Sequence, residues 1–89
     1  MFKPYQSVMI LNFLFNDVRC DHKGTYIGLE TRGSKKGKHK VEISNITYHF
    51  DLERLMDFEE YMKIFNKDKS KLPEMAVKKL FFERGDYKG

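Results

Sequence analysis

Between Tyr5 and Val18 the chain carries Val8, Met9, Ile10, Leu11, Phe13, Leu14 and Phe15, apolar at odd and even positions alike. A half-buried strand alternates and a surface helix keeps a polar stripe. This run, rich in strand formers, therefore predicts a central strand buried on both faces. It is far shorter than the ~20 residues of a membrane-spanning helix, and it lacks the small-residue cleavage pattern of a signal peptide. The rest of an 89-residue chain has to be arranged around it.

The expected order is strands first and helices second. Cys20-Asp21-His22-Lys23-Gly24 reads as a turn, with Gly24 free to take a positive φ, leading into a second strand over Thr25 to Thr31. Val41 to Phe50 reads as a third strand. Its apolar parity shifts from Val41 and Ile43 to Ile46, Tyr48 and Phe50, which a bulge near Ser44 and Asn45 would explain. Asp51 is a helix N-cap type, and Leu52, Leu55, Met56, Phe58, Tyr61, Met62, Ile64 and Phe65 recur at spacings of three and four, predicting a helix to about Asn66. Its Met56, Met62 and Phe65 are expected against Ile27, Leu29 and Ile43. Lys67 to Lys71 reads as a connection, Pro73 as the first turn of a second helix over Glu74 to Glu83, and Gly85 as its end. The expectation is an α+β domain over residues 1–85, a three-stranded antiparallel sheet with two helices on one face (βββαα), and a tail over 86–89. No internal repeat or second domain is visible.

Eight Phe, five Tyr and five Met supply the core in the absence of Trp. The one cysteine, Cys20, rules out an internal disulfide and fits a reducing, cytoplasmic setting.

Function is signalled most clearly by Arg32 to Lys40, RGSKKGKHK, with five Lys or Arg in nine positions. Charges so close repel one another, and a polyanion relieves that repulsion; nucleic acid phosphate is the commonest such partner. Arg32, Lys35, Lys36, Lys38, His39 and Lys40 are the candidate contacts, with Gly33, Ser34 and Gly37 giving the backbone room to approach an anion. Lys67, Lys69, Lys71, Lys78, Lys79 and Arg84 extend the patch if the second helix packs beside the loop. Tyr26, Tyr48 and Phe50 are base-stacking candidates if they face outward, and core residues otherwise. The acids Glu53, Asp57, Glu59 and Glu60 read as a solvated helix face or a docking surface.

Chemistry is signalled weakly. Cys20, Asp21 and His22 are metal-ligand types, but their adjacency, without a second Cys or a matching His pair, fails structural zinc spacings, and no metal or cofactor is expected. His22, His39 and His49 with the five tyrosines could in principle assemble a site for acid–base cleavage of RNA, but such ingredients are unspecific. His39 reads more simply as a phosphate contact and His49 as structural, so a small toxin-like ribonuclease is the weakest of three readings.

The string GSKKGKHK, Gly33 to Lys40, is similar to the basic turn of double-stranded RNA-binding domains, and the βββα order resembles part of that fold. In that family the lysines open the C-terminal helix, whereas here Val41 to Tyr48 reads as a strand, so no residue role is carried over. A short, Lys-, Phe- and Asn-rich domain without enzyme motifs also resembles small accessory proteins that bacteriophages make to bind nucleic acid or disarm host defence. That resemblance is one of composition and assigns no residue. The sequence thus predicts a non-enzymatic nucleic-acid-binding protein, RNA preferred. The alternative is a phage-type inhibitor of a host nuclease, toxin or defence protein. With a cationic loop, separate acids and an open strand edge, a homo-oligomer is expected, and no membrane partner.

Overall fold

A computed structural model describes residues 2–81. Over those residues the sheet has six strands: β1 (Ser7–Phe15), β2 (Val18–Leu29), β3 (His39–Ile43), β4 (Ile46–Phe50), β5 (Leu55–Asp57) and β6 (Leu80–Phe81). The order is β4-β3-β2-β1-β5, all neighbours antiparallel, and the short β6 runs parallel to β2. A single α-helix among the described residues, α1 (Phe58–Asp68), follows β5. This replaces the expected three strands and two helices.

β1 is an interior strand, buried on both faces over Val8 to Leu11 as its two-sided apolarity required, although the middle of the order is β2 rather than β1. Val8 and Ile10 enter one cluster with Tyr26, Val41, Ile43, Phe50 and Leu55, while Met9 and Leu11 enter another with Tyr61, Met62, Leu72 and Ala76. A bulge between Ile10 and Phe13 then inserts one residue, so Phe13 and Phe15 join the first cluster and Leu14 turns outward. No helix among the described residues covers the first cluster. The sheet curls over its own inner face, so that Phe13 of β1 packs edge-on against Tyr48 (5.3 Å between ring centres) and Phe50 (5.9 Å) of β4, across two intervening strands.

Of the three hairpins, β2–β3 turns at the expected basic loop, while the other two turn where the sequence reading placed no turn. Asn16 and Asp17 have φ of 50° and 64° and join Phe15 to its partner Val18; Ser44 and Asn45 (51° and 67°) do the same between Ile43 and Ile46. Two consecutive positive φ values mark the two-residue hairpin turn whose twist matches the strands, and after glycine Asn and Asp tolerate it best. The expected bulge at Ser44 and Asn45 is therefore a turn that splits the third strand in two. Cys20 to Gly24 is strand rather than turn. Gly24 serves packing: a Cβ there would stand 2.6 Å from Cγ1 of Val41 and 2.8 Å from Cδ1 of Ile10.

The helix starts six residues later than its apolar spacing suggested. Asp51 precedes a 3-10 turn over Leu52–Arg54 and caps nothing with its side chain. Leu55 to Asp57 is drawn instead into pairing with Val8 to Ile10, because β1 otherwise exposes a row of backbone groups. Asp57 is the true cap, accepting from the amide of Glu60 at 3.0 Å. Tyr61 and Met62 are buried against Met9 and Leu11, with Met56 and Phe65 half-buried beside them. They do not meet Ile43, which lies in the cluster on the other face.

Over its described part the second helix does not form, because its backbone is claimed by Asp21. That side chain is fully buried (0% exposed) and accepts four hydrogen bonds: from the amides of Asn12 (2.9 Å), Val77 (3.0 Å) and Lys78 (2.8 Å), and from the hydroxyl of Tyr61. Residues 73–79 are consequently irregular, with Lys78 at φ 65°, and lead into β6. The end of the expected second helix, Gly85 and the tail fall outside the described residues.

Replacing Asp21 with Asn puts an NH2 group among four donors. We expect Asp21→Asn to lower unfolding free energy by at least about 3 kcal/mol, and Tyr61→Phe by about 1–2 kcal/mol, in urea titration. An Asp21→Asn loss below about 1 kcal/mol would contradict this assignment.

Candidate nucleic-acid interface

The connection between β2 and β3 is closed by its own backbone. The amide of Glu30 donates to the carbonyl of Lys38 (2.8 Å), Gly37 to Glu30 (2.9 Å), Lys36 to Gly33 (3.2 Å) and Lys38 to Lys35 (2.9 Å), around a 3-10 turn over Gly33–Lys35. Gly33 (φ 73°) and Gly37 (φ 90°) supply the left-handed corners this path needs. Several loop amides, that of Gly37 included, are thus used internally, and anion contact falls mainly to side chains.

The six expected contacts divide. Arg32, Lys35 and Lys36 are exposed and enter no ion pair among the described residues. Lys38 is committed to Asp51, 2.6 Å away, and its hydrogen bond and charge hold the Asp51 carboxyl below its ordinary range. His39 is in the core, with Nδ1 at 2.7 Å from the Tyr26 hydroxyl, whose own pKa burial pushes up. Lys40 is half-buried and stands directly across from His49. It shares that surface with Glu30, whose carboxyl lies 2.9 Å from Nε2 of His49. The His49 hydrogen bond is the main cause holding Glu30 low, aided by the Arg32 amide and the Lys40 charge and opposed by partial burial. The three histidines considered for cleavage chemistry therefore sit in different environments: His22 buried with Nδ1 at 2.7 Å from the Lys23 carbonyl, His39 bonded inside the core, and His49 held by a carboxylate.

The expected extension is not assembled with the loop. Lys78 and Lys79 flank Asp21, eight residues up β2 from Leu29, or roughly 26 Å at ~3.3 Å per residue. Lys67, Lys69 and Lys71 lie at the end of α1 and in the 3-10 turn after it, the Lys69 ammonium over the Phe65 ring at 5.3 Å. Arg84 lies outside the described residues. Tyr26 and Phe50 are buried and Tyr48 is half-buried, so the outward stacking alternative fails for the first two. The four acids do not form one helix stripe: Glu53 is in the 3-10 turn, Asp57 caps α1, and Glu59 and Glu60 occupy its first turn. Cys20 is buried, and its thiol is pushed up by that burial and by the Asp21 charge. No group of three metal-ligating side chains occurs among the described residues.

Sequence reasoning missed one exposed aromatic at this end of the molecule. Tyr5 is 80% exposed, and its amide donates to the carbonyl of Tyr26 at 2.6 Å, four residues before Glu30. The signal was the Lys3-Pro4 pair, since Pro favours the second position of a β-turn. No helix among the described residues is long and apolar enough to cross a membrane. No family model matches the chain, and no curated protein or solved structure is detectably similar to it.

A carboxyl held low in the folded state contributes stability above its ordinary value and loses it as pH falls through the folded-state value. Relative to wild type, Glu30→Gln should therefore melt lower above pH 4.5, the ordinary Glu value. The gap should close as pH drops below it; a gap constant with pH would count against the His49 pairing.

Proposed function

We propose that the protein binds nucleic acid without acting on it chemically, RNA in preference to DNA, through Arg32, Lys35, Lys36 and Lys40. One observation carries the reading: a loop stiffened by its own backbone hydrogen bonds holds Arg32, Lys35 and Lys36 in solvent, none of them ion-paired among the described residues. Holding like charges close costs free energy that phosphate contact returns, while the fork of Arg32 adds two-point binding. Preference for RNA rests on shape. The first turn of α1 carries Glu59 and Glu60, so it is unsuited to a DNA major groove, whereas a projecting cationic loop suits single strands and irregular RNA.

Self-association belongs to the same reading. β4 has only β3 beside it among the described residues, and its uncharged Ile46 and Thr47 are exposed, an edge suited to antiparallel pairing with a second copy. Sedimentation of the protein without nucleic acid should show a concentration-dependent dimer that survives salt. A monomer throughout would remove this part.

The loop is tested by Lys35→Glu with Lys36→Glu. Affinity for random single-stranded RNA should fall at least tenfold, and the slope of log K against log salt should shrink by about 0.7 for each phosphate no longer neutralised. An unchanged affinity in the folded double variant would overturn the proposal.

A further inference from the structure

Lys3, Pro4, Tyr5 and Gln6 form a β-turn, closed by the Gln6 amide donating to the Lys3 carbonyl at 3.1 Å. Tyr5 occupies its third position at φ 68°. With Pro at the second position and positive φ at the third, this is the turn type that asks for Gly or Asn there. A tyrosine at this φ is strained. The turn is nevertheless firmly pinned, by Tyr5 N–H on the Tyr26 carbonyl, by the Lys3 amide on Oε1 of Gln6 (2.9 Å), and by Nε2 of Gln6 on Asp57 (2.7 Å). Tyr5 as a residue is 80% exposed. Neither backbone preference nor burial accounts for a tyrosine here, and an outlier held by its surroundings points to use.

Tyr5 also stands at the basic end of the sheet. Tyr26, which anchors it, precedes Glu30 by four residues, so the anchor is roughly 13 Å from the root of the loop along β2, with half-exposed Leu29 between. Asp57 lies on the other side of the turn, which directs phosphates toward Arg32 to Lys36. We propose that Tyr5 is a stacking platform for an unpaired base, and that the ligand of this surface is single-stranded RNA rather than duplex. The inference rests on the loop reading above. A base inside a duplex has both faces covered by its neighbours, so only an unpaired one offers a π-face to the ring.

The experiment measures binding of an oligouridine of about 12 nucleotides, within the usual 4–16 nucleotide span, and of a duplex of equal length. Three proteins are compared: wild type, Tyr5→Gly and Tyr5→Phe. Glycine suits the positive φ, so Tyr5→Gly should keep or raise the melting temperature while weakening single-strand binding by about 5- to 150-fold. Its salt slope should stay at the wild-type value, because no charge is removed. Tyr5→Phe should bind like wild type. A lower melting temperature in Tyr5→Gly would make the ring a structural element and overturn the proposal, as would equal weakening on single strand and duplex. If Tyr5→Gly binds normally while the Lys35 and Lys36 double variant does not, this inference alone fails; if neither matters, the loop reading fails with it.

Discussion

A buried carboxylate, that of Asp21, ties together by hydrogen bonds three parts of the chain that also share the apolar cluster of Met9, Leu11, Tyr61, Leu72 and Ala76. Burying an acid without partners costs many kcal/mol, so the position is tenable only if donors converge on it. They do: the Asn12 amide comes from the bulge of β1, the Tyr61 hydroxyl from α1, and the Val77 and Lys78 amides from the segment after the helix. The Asp21 amide in turn donates to the carbonyl of Lys79 at 2.8 Å, which starts the pairing of β6 along β2. The bulge is secured from its other side as well, since Arg54 donates to the carbonyls of Leu11 (2.8 Å) and Asn12 (2.9 Å). Burial, the hydrogen bond to Asp21 and its charge all push the Tyr61 hydroxyl upward, so it remains a donor throughout the physiological range.

This arrangement leaves the two ends of β2 with different tasks. Around Asp21 the carboxylate and the amides of Asn12, Val77 and Lys78 are consumed in holding the fold. Beyond Leu29 the order reverses: Lys38 and His39 are tied down by Asp51 and Tyr26, and that anchoring lets Arg32, Lys35 and Lys36 project. The loop is thus a compact cationic tip on a rigid strand pair, which is why its side chains rather than its backbone are the candidate phosphate contacts.

Local chemistry was legible in the sequence, whereas long-range claims on it were not. The two-sided apolarity of Val8 to Phe15 identified an interior strand buried on both faces, the basic run identified the exposed tip, and the spacing from Phe58 onward identified a helix. Gly24 misled because a glycine needed for close packing against Ile10 and Val41 looks like a turn glycine. Asp51 misled because its helical context continues through Leu55 and Met56, which β1 recruits as an edge strand. Glu74 to Glu83 reads as a helix until a buried acid from β2 claims the amides of Val77 and Lys78. His39 reads as a loop cation because its hydroxyl partner, Tyr26, is thirteen residues away. Each miss is a local preference overruled by a residue distant in sequence.

Binding of RNA by exposed cations at the loop end of the sheet is tested most directly by recording backbone amide shifts while a short single-stranded RNA is added. Progressive shifts are predicted at Lys3, Tyr5 and Gln6 and at Thr31 to Lys40, with residues 52–68 and the Asp21 partners Val77 and Lys78 unmoved. Shifts centred on Glu59 and Glu60, or none in the loop at concentrations that saturate binding, would contradict it.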